Sequence, residues 1–464
     1  MKGDFSANHF RPDRGYLRVL MQQGRVQLDS DWNEQISILI RYLEALAEDV
    51  IGPFGGPLGR AGFAIQAASH LTSEQTDQLA AVGVKRAEAG DLFIGPGRYY
   101  VDGLLCENPR ATTLLRQPDY TAEAVDADTA SWVYLDVWER HLTWVQDDDV
   151  REVALGGPDT ASRSRVIWQV KTGAFTGGTQ SKNSTDWEPF DTQLLAESNA
   201  LLRAGTADPD PGDQTDPCIT PPAARYRGTE NQLYRVEIHA GGTASSSGSE
   251  DIGATGATFK WSRENGSVVF PLANPAEGEI LTLTTLGRDD TLTLDEGDWV
   301  ELCDDDLDLS GLPGQLLQVR RVDAVGFRVT LSDSPKADTG RDMAKHPLLR
   351  RWDQKERDPA SGAPRLIDGA AVVEEDDQDA WLALEDGIQI QFQPGGAYRT
   401  GDYWLIPART ETGDVQWPRD GNGPVARPPD GIEHHYAPLA VAPSGGAACF
   451  DWRSVFERLP AVPT

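Results

Sequence analysis

The spacing of hydrophobic residues changes abruptly near the start of the chain. Between Arg25 and Asp29, apolar and polar residues alternate, which predicts a short, half-buried strand. From position 32 onward, the apolar residues follow helical spacing along one stripe, formed by Trp32, Ile36, Leu39, Ile40, Leu43, Leu46 and Val50. The pattern therefore predicts a strand that leads directly into an amphipathic helix of about 20 residues.

The residues at both ends of this helix agree with that length. Asp31 and Glu34 have the spacing of a capping box, in which side chains accept hydrogen bonds from free backbone N–H groups. Gly52 and Pro53 should end the helix, because a residue before proline disfavours the helical conformation. We predict that the apolar stripe forms an interface with the residues Trp32, Ile36, Leu39, Leu43 and Leu46.

Most of the remaining chain alternates with the two-residue period of β-strands. Residues 131–145 carry bulky groups on both faces, which predicts a buried strand or hairpin. Asn265-Gly266 predicts a hairpin turn, and residues 452–459 predict a short closing helix. A small closed barrel is predicted from five evenly spaced strands, at 281–286, 291–294, 298–302, 315–322 and 327–331.

These patterns predict a mainly β fold. The N-terminal strand and long amphipathic helix precede two or three antiparallel β-sandwich or small β-barrel domains, and 46 Gly, 30 Pro and 13 Trp suit such a loop-rich protein. The predicted divisions are an attachment segment at 1–64, a β domain at 65–172, a loop-rich linker or strap at 173–230, a small β-barrel-like domain at 231–340 and a C-terminal β-rich domain at 341–464.

The acidic composition disfavours two classes of partner. Asp and Glu number 73 against 42 Lys and Arg, so the net charge is −31. Such a chain is repelled by nucleic-acid phosphates and by anionic membranes. No apolar run approaches the roughly 20 residues that span a bilayer. We therefore expect neither nucleic-acid binding nor direct membrane insertion.

Cysteine usage and the first residues bear on the compartment. The four cysteines, at positions 106, 218, 303 and 449, are far apart, which predicts isolated thiols and no disulfide framework. The start of the chain lacks the hydrophobic region of a signal peptide. We expect synthesis in the cytoplasm without a signal peptide, and an extracellular location only as part of a released particle.

Two groups of residues are candidate metal ligands. Glu433-His434-His435 offers donors for Zn²⁺ or Fe²⁺, but adjacent histidines point to opposite sides of a strand and are not expected to share a metal. Asp304, Asp306 and Asp308 offer the oxygen ligands that Ca²⁺ prefers, without the spacing of an EF-hand loop. We expect no cofactor, with Ca²⁺ at these aspartates as the candidate exception.

Flat aromatic rings can stack on sugars, and four tryptophans are candidates for this role: Trp144, Trp381, Trp404 and Trp417. The alternative for each is an ordinary place in a β core. No nucleophile elbow, phosphate loop or His-Glu-x-x-His motif occurs in the sequence. Carboxylate pairs at glycosidase separation can arise by chance among 73 acids, yet no catalytic residue is predicted. We expect a non-enzymatic protein.

Several motifs carry a family resemblance. Residues 28–34 read Leu-Asp-Ser-Asp-Trp-Asn-Glu, and further motifs lie at 134–140, 155–160, 259–267 and 401–409. As a set they resemble an uncharacterised bacterial family associated with phage-tail-like contractile injection systems. The N-terminus is more loosely similar to phage tail-fibre and baseplate proteins, as is the Gly-rich hairpin sequence at 95–103.

The resemblance implies a structural or adaptor component of such a particle, attached through the N-terminal strand and helix. It brings no catalytic residues. Its expected partners are particle structural proteins, and a homotrimer is the expected assembled state. The alternative is a carbohydrate-binding or carbohydrate-active protein displayed on or delivered by the particle, or cargo of the tube lumen.

Overall fold

Antiparallel β-sheets dominate the regular secondary structure of the described residues, which confirms the predicted mainly β fold. The computed structural model describes residues 1–85, 88–126, 128–156, 159–175, 184–195, 198–207, 225–246, 256–336, 338–358, 362–375, 381–421 and 423–457. Its α-helices are α1 (Asp29–Ile51), α2 (Ser73–Ala81), α3 (Ser184–Leu195) and α4 (Asp305–Ser310). Within these ranges, no helix is long and apolar enough to cross a membrane.

The N-terminal sandwich joins the first and last parts of the chain. The sheet with its longest strands has the order Phe450–Asp451, His435–Ala442, Ser131–Leu142 and Arg163–Ala174. Two further sheets share the same core. The first has the strand order Val455–Phe456, Phe54–Pro57, Gly97–Val101 and Leu104–Asn108. The second has the order Ile65–Ala67, Leu92–Ile94 and Thr112–Thr113. Strand Ser131–Leu142 is central because it pairs along its whole length with Arg163–Ala174.

The central sandwich contains the largest hydrophobic core. One sheet has the order Leu366–Ile367, Ala370–Val372, Thr258–Ser262, Gln232–Ala240, Tyr403–Arg409 and Asp414–Val415, and the other has the order Leu382–Ala383, Ile388–Phe392 and Leu202–Thr206. Small strand pairs at its edges are Gly242–Thr243 with Ala397–Tyr398, Ser245–Ser246 with Glu374–Glu375, and Arg419–Asp420 with Gly423–Pro424. Alternating residues such as Val236 and Ile238 point into the core, as period-two patterning requires.

A half-barrel follows, with the strand order Val269–Pro271, Leu348–Trp352, Trp299–Cys303, Gln315–Asp323, Arg328–Leu331 and Ile280–Thr282. A bridge between Leu272 and Leu283 brings the two edges together. The predicted strand at 291–294 is wrong. The Asp289 carboxylate accepts bonds from the N–H groups of Thr291 and Leu292, so these groups are not free for a β-ladder.

The predicted Asn265-Gly266 turn is present, but its role differs. Asn265 has φ +51° and Gly266 has φ +65°, the left-handed backbone that a tight turn of this kind needs. The strands on either side, Thr258–Ser262 and Val269–Pro271, belong to different sheets. The turn therefore connects the central sandwich to the half-barrel and does not close a hairpin.

The ends of α1 confirm some predictions and correct others. The helix ends at Ile51, and Gly52 adopts φ +96°, as the Gly-Pro pair predicts. It begins at Asp29 with Leu28 at the N-cap, and no side chain caps it. The capping box at Asp31 and Glu34 is therefore wrong. The strand predicted before the helix is also not formed, because residues 21–28 have no strand partner among the described residues.

The C-terminal part of the chain returns to the N-terminal sandwich. Residues 435–442 pair with 131–142, and Val455–Phe456 pair in parallel with Gly56 and Pro57. The closing helix predicted at 452–459 is wrong for its described residues, which bury Trp452 and form this short strand. The five predicted domains and their boundaries stay a prediction, while sheet pairing joins segments from several of these domains.

Candidate functional site

The start of α1 is fixed by the chain that precedes it. The Asp29 carboxylate accepts a hydrogen bond from the Ser6 backbone N–H at 2.9 Å and another from the Ser6 hydroxyl. The side-chain oxygen of Gln35 accepts a bond from the Val19 N–H, also at 2.9 Å. These bonds set the direction in which the helix runs.

The side of α1 that faces the N-terminal sandwich is largely polar. Ile38 is the large apolar residue buried on it. Glu44 lies directly over the turn at Gly103, where an added Cβ atom would stand 2.5 Å from the Glu44 Cα. Gly103 also has φ +83°, so both the close approach and the backbone conformation favour glycine here.

The opposite side of α1 exposes the predicted apolar stripe. We define the exposed stripe as Trp32, Ile36, Leu39, Leu43, Leu46 and Val50. Each of these side chains is between 39% and 70% exposed. Ile40 and Tyr42 flank the stripe and are also exposed. The usual arrangement, in which the apolar face of a surface helix packs on the core, is thus reversed.

The segment before α1 adds to this apolar surface. We call residues 9–28 the arm. It bears four arginines and one aspartate, a charge of +3, in a chain whose net charge is −31. Six large apolar side chains of the arm are exposed: Tyr16, Leu17, Leu20, Met21, Val26 and Leu28. The arm and the stripe therefore both present several large apolar side chains to solvent.

A cluster of charges lies under the polar side of α1. His435 Nδ1 is 3.0 Å from a carboxylate oxygen of Asp102, in the turn that α1 crosses. Burial alone would lower the pKa of His435, but the hydrogen bond to Asp102 and the nearby charges of Glu433 and Glu44 together raise it. Burial raises the pKa of Glu44, and nearby Glu139 and Glu433 add to the increase. The sequence did not single out this contact, because Asp102 and His435 are 333 positions apart.

The neighbouring histidine, His434, lies just before strand His435–Ala442 and faces a different site. His434 Nδ1 lies 2.7 Å from the buried Asp136, which also accepts a bond from Lys171 Nζ at 2.7 Å. The imidazole stacks beside Trp138, with 4.9 Å between ring centroids. Burial opposes ionisation of Asp136, but His434 and Lys171 together lower its pKa. His434 and His435 thus have separate carboxylate partners.

The three candidate Ca²⁺ ligands have three different partners. Asp304 caps α4 by accepting the Leu307 N–H, at 3.1 Å. Asp306 pairs with Lys345 at 2.7 Å, and Asp308 pairs with Arg140 at 2.9 Å. Within the described ranges, no group of three His, Cys, Asp or Glu side chains is arranged to hold a metal ion. The structure therefore gives these aspartates capping and ion-pairing roles.

The four candidate sugar-stacking tryptophans are dispersed. Trp404 and Trp417 are buried, and their indole N–H groups donate to the carbonyls of Arg427 and Val425. Neither ring is open to a sugar, because core side chains surround both. Trp381 is half-buried, and Trp144, also half-buried, lies under the Arg151 guanidinium at 4.0 Å from the ring centroid.

A cleft of about 530 Å³ opens beside the start of α1. It lies between the first residues of the chain and the central sandwich, and its polar lining includes Asp4, Ser30, Glu264 and Arg409. Arg409 donates to the Ser6 carbonyl at 2.9 Å, which holds the chain across the cleft. Burial raises the pKa of Glu264. The three carboxylates around this cleft, including Asp29, make it unfavourable for an anion.

The fold and surface define a multi-sheet β protein that presents an apolar helix to solvent. A family model matches residues 1–184 and 193–461, nearly the whole chain, so the protein belongs to the family described as Family of unknown function (DUF6519). No curated protein matches the chain, and no solved structure matches it.

Proposed function

We propose that this protein is a structural or adaptor component of a phage-tail-like contractile particle and attaches through α1. The observation that carries the proposal is the exposed stripe on the side of α1 opposite the sandwich. The motifs that resemble proteins of contractile injection systems supply the particle context. The β sandwiches and half-barrel form the body that α1 would anchor.

Physical chemistry supports attachment by the stripe. Covering a large apolar side chain that is half exposed stabilises a contact by about 1 kcal/mol. Six such residues on one rigid helix, with Ile40 and Tyr42 beside them, form a contiguous patch rather than scattered apolar residues. Patches of this kind mark interaction surfaces. Within the chain, α1 is already fixed through its polar side, so the stripe is not needed to hold the helix on the body. Its exposed side chains are therefore available to a partner.

The contacts made by the candidate residues support the proposal that the protein is not an enzyme. The acidic cluster at 304–308 caps a helix and forms ion pairs. His434 and His435 each bind a separate carboxylate, and two of the candidate tryptophans fill a core. These contacts give each candidate residue a role in stabilising the fold that requires no catalytic or ligand-binding function.

The test is co-sedimentation in cells that encode the protein. Particles are purified by density-gradient sedimentation, and the chain is detected by mass spectrometry. The wild-type chain should sediment with the particle, whereas Leu39→Asp/Leu43→Asp should remain in the unassembled fraction, because unpaired carboxylates would be buried in the contact. Arg41→Asp/Ala45→Asp adds charge to exposed positions off the stripe and should still sediment with the particle.

Two results would contradict the proposal. Absence of the wild-type chain from every particle fraction would exclude a structural role in the particle. Equal incorporation of the stripe variant would exclude α1 as the attachment element. Circular dichroism of both purified variants distinguishes loss of the contact from loss of the fold.

A further inference from the structure

We infer that the occupant of the exposed stripe is the same helix from other copies of this chain, in a parallel bundle of three. This inference deepens the proposed function and rests on its assignment of α1 as the attachment element. It assigns the partner and the geometry, which the proposed function leaves open.

The exposed stripe follows a regular repeat. Its six residues are separated by alternating steps of four and three residues, from Trp32 to Val50. This is the 3.5-residue period of a coiled-coil seam, with Ile36, Leu43 and Val50 at position a and the other three at position d. A helix that only packs on a globular core does not need so regular a seam, because its neighbours there are irregular.

The body lies on the side of α1 away from the seam. Glu44 contacts the sandwich at Gly103 on that side, and the buried Ile38 also points away from the seam. When seams meet on a common axis, the bodies must therefore lie outside the bundle. In a parallel arrangement around a three-fold axis the three bodies are equivalent and none obstructs a seam, as closed symmetry requires.

The positions that flank the seam favour three helices over two, whereas Ile36 and Val50 at position a with Leu39 and Leu46 at position d would by themselves suit two strands. In a two-helix coiled coil the positions beside the seam commonly carry charged pairs. Here those positions hold the uncharged residues Asn33, Gln35, Ile40, Tyr42 and Ala47, with Asp49 as the charged exception near the end. A third helix covers these flanking side chains as well. The six seam residues with Ile40 and Tyr42 expose on the order of 800 Å² per copy, the area that a standard stable interface needs on each partner.

The arm offsets part of the negative charge on α1. α1 bears six acidic side chains and one basic side chain, a charge of −5, so three bare helices would repel one another. The arm carries +3 and lies beside α1, where Val19 is bonded to Gln35. Arginines of the arm therefore supply counter-charge next to the bundle, which reduces the repulsion within the roughly 8 Å screening length of physiological salt.

The experiment measures the mass of the purified full-length chain by light scattering after size exclusion, across a protein concentration series at physiological salt. Three chains of 50.6 kDa give 3 × 50.6, about 152 kDa. We expect this mass for the wild type and for Arg41→Asp/Ala45→Asp. We expect 50.6 kDa for Leu39→Asp/Leu43→Asp, with near-ultraviolet circular dichroism unchanged because the β bodies remain folded.

A second variant tests the register. In a parallel bundle, the d positions of all copies meet in one layer, so Leu39→Cys should form a disulfide between copies under copper-phenanthroline oxidation, and Arg41→Cys should not. A stable mass of two chains would overturn the trimer. A wild-type mass of one chain at every concentration would overturn self-association altogether. If the stripe variant were then still lost from particles, the proposed function would stand with a different partner.

Discussion

At the scale of single residues, the His435 side chain links strand His435–Ala442 to the turn that α1 crosses. It bonds Asp102 and lies near Glu44 of the helix. Because its pKa in the folded protein is raised above the unfolded value of about 6.5, the folded state binds a proton more tightly than the unfolded state. Its stabilising contribution is therefore complete below about pH 6.5 and is lost as the pH rises through the folded pKa.

We predict that His435→Gln lowers the free energy of unfolding most strongly at acidic pH. The expected loss is about 1.5–3 kcal/mol below pH 6.5, the usual value of a hydrogen bond to a charged group, and it should shrink as the pH rises. Urea unfolding at a series of pH values measures it. His70→Gln, at an exposed histidine bonded to Ser69, serves as the control. A loss that is independent of pH would show that shape rather than charge explains the contribution of His435.

Residue-level predictions from sequence succeeded where a local rule decides them. His434 and His435 face different carboxylates, as predicted, although His434 lies just before the strand that begins at His435. The same reasoning could not find Asp102 or Asp136 as their partners, since those pairs depend on which distant strands become neighbours. Clusters such as 304–308 look alike in sequence whether they bind a cation or pair with Arg140.

At the scale of elements, α1 is held to the sandwich by a contact that leaves no room for a side chain. The turn at Gly103 reaches the Glu44 backbone, so this position joins helix to sandwich through close packing. Gly83 offers a matched comparison. Its φ is +84°, nearly the same as at Gly103, but no atom lies within 4 Å of the position that a Cβ would take.

We predict that Gly103→Ala loosens α1, whereas Gly83→Ala does not. Both substitutions place alanine at positive φ, which costs about 1–3 kcal/mol. Only the first also forces Glu44 away. Hydrogen exchange by mass spectrometry should show faster exchange in residues 38–50 of Gly103→Ala, with strand Ser131–Leu142 unchanged. Identical exchange in the two variants would show that the contact with Glu44 does not hold the helix.

The sequence predicted elements well where periodicity and end signals agree. The body of α1 and its end at Gly52 follow from the apolar stripe and the Gly-Pro pair. Its start was misplaced because Asp31 and Glu34 match a capping box by type alone, whereas α1 begins earlier, with the Asp29 carboxylate bonded to Ser6. Residues 291–294 alternate like a strand, but the Asp289 side chain takes their N–H groups.

At the scale of the whole molecule, a buried ion network joins the central sandwich to the half-barrel. Lys260 lies on a central strand and bonds Glu301 of the half-barrel at 2.6 and 2.7 Å. Glu237 lies 3.3 Å from Lys260 and also pairs with Lys2 and Arg235. Burial opposes the charge on Lys260, but Glu301 and Glu237 together raise its pKa. Burial would raise the pKa of Glu301, yet Lys260 holds it at about 2.

We predict that Lys260→Met lowers the free energy of unfolding by about 3–5 kcal/mol, because Glu301 would remain buried without its main partner. Urea unfolding at pH 7 measures the loss. Because the folded pKa of Glu301 is depressed, its contribution exists above the unfolded value of about 4.5 and is lost as the pH falls toward 2. Lys345→Met, which removes a surface pair with Asp306, should cost less than about 1 kcal/mol. Equal losses would show that the buried network adds nothing beyond a surface pair.

The return of residues 435–442 to the N-terminal sandwich has a consequence for how the protein is made. A ribosome must add 435 − 142 = 293 further residues after strand Ser131–Leu142 before that strand meets its second neighbour. At about 5–20 residues per second, this interval lasts roughly 15–60 s. During it, one edge of a 12-residue apolar strand is uncovered on the nascent chain while the exposed stripe of α1 has already emerged. Neighbouring ribosomes on one message hold several such chains close together, so chaperones that shield strand edges should determine the yield of correctly folded protein.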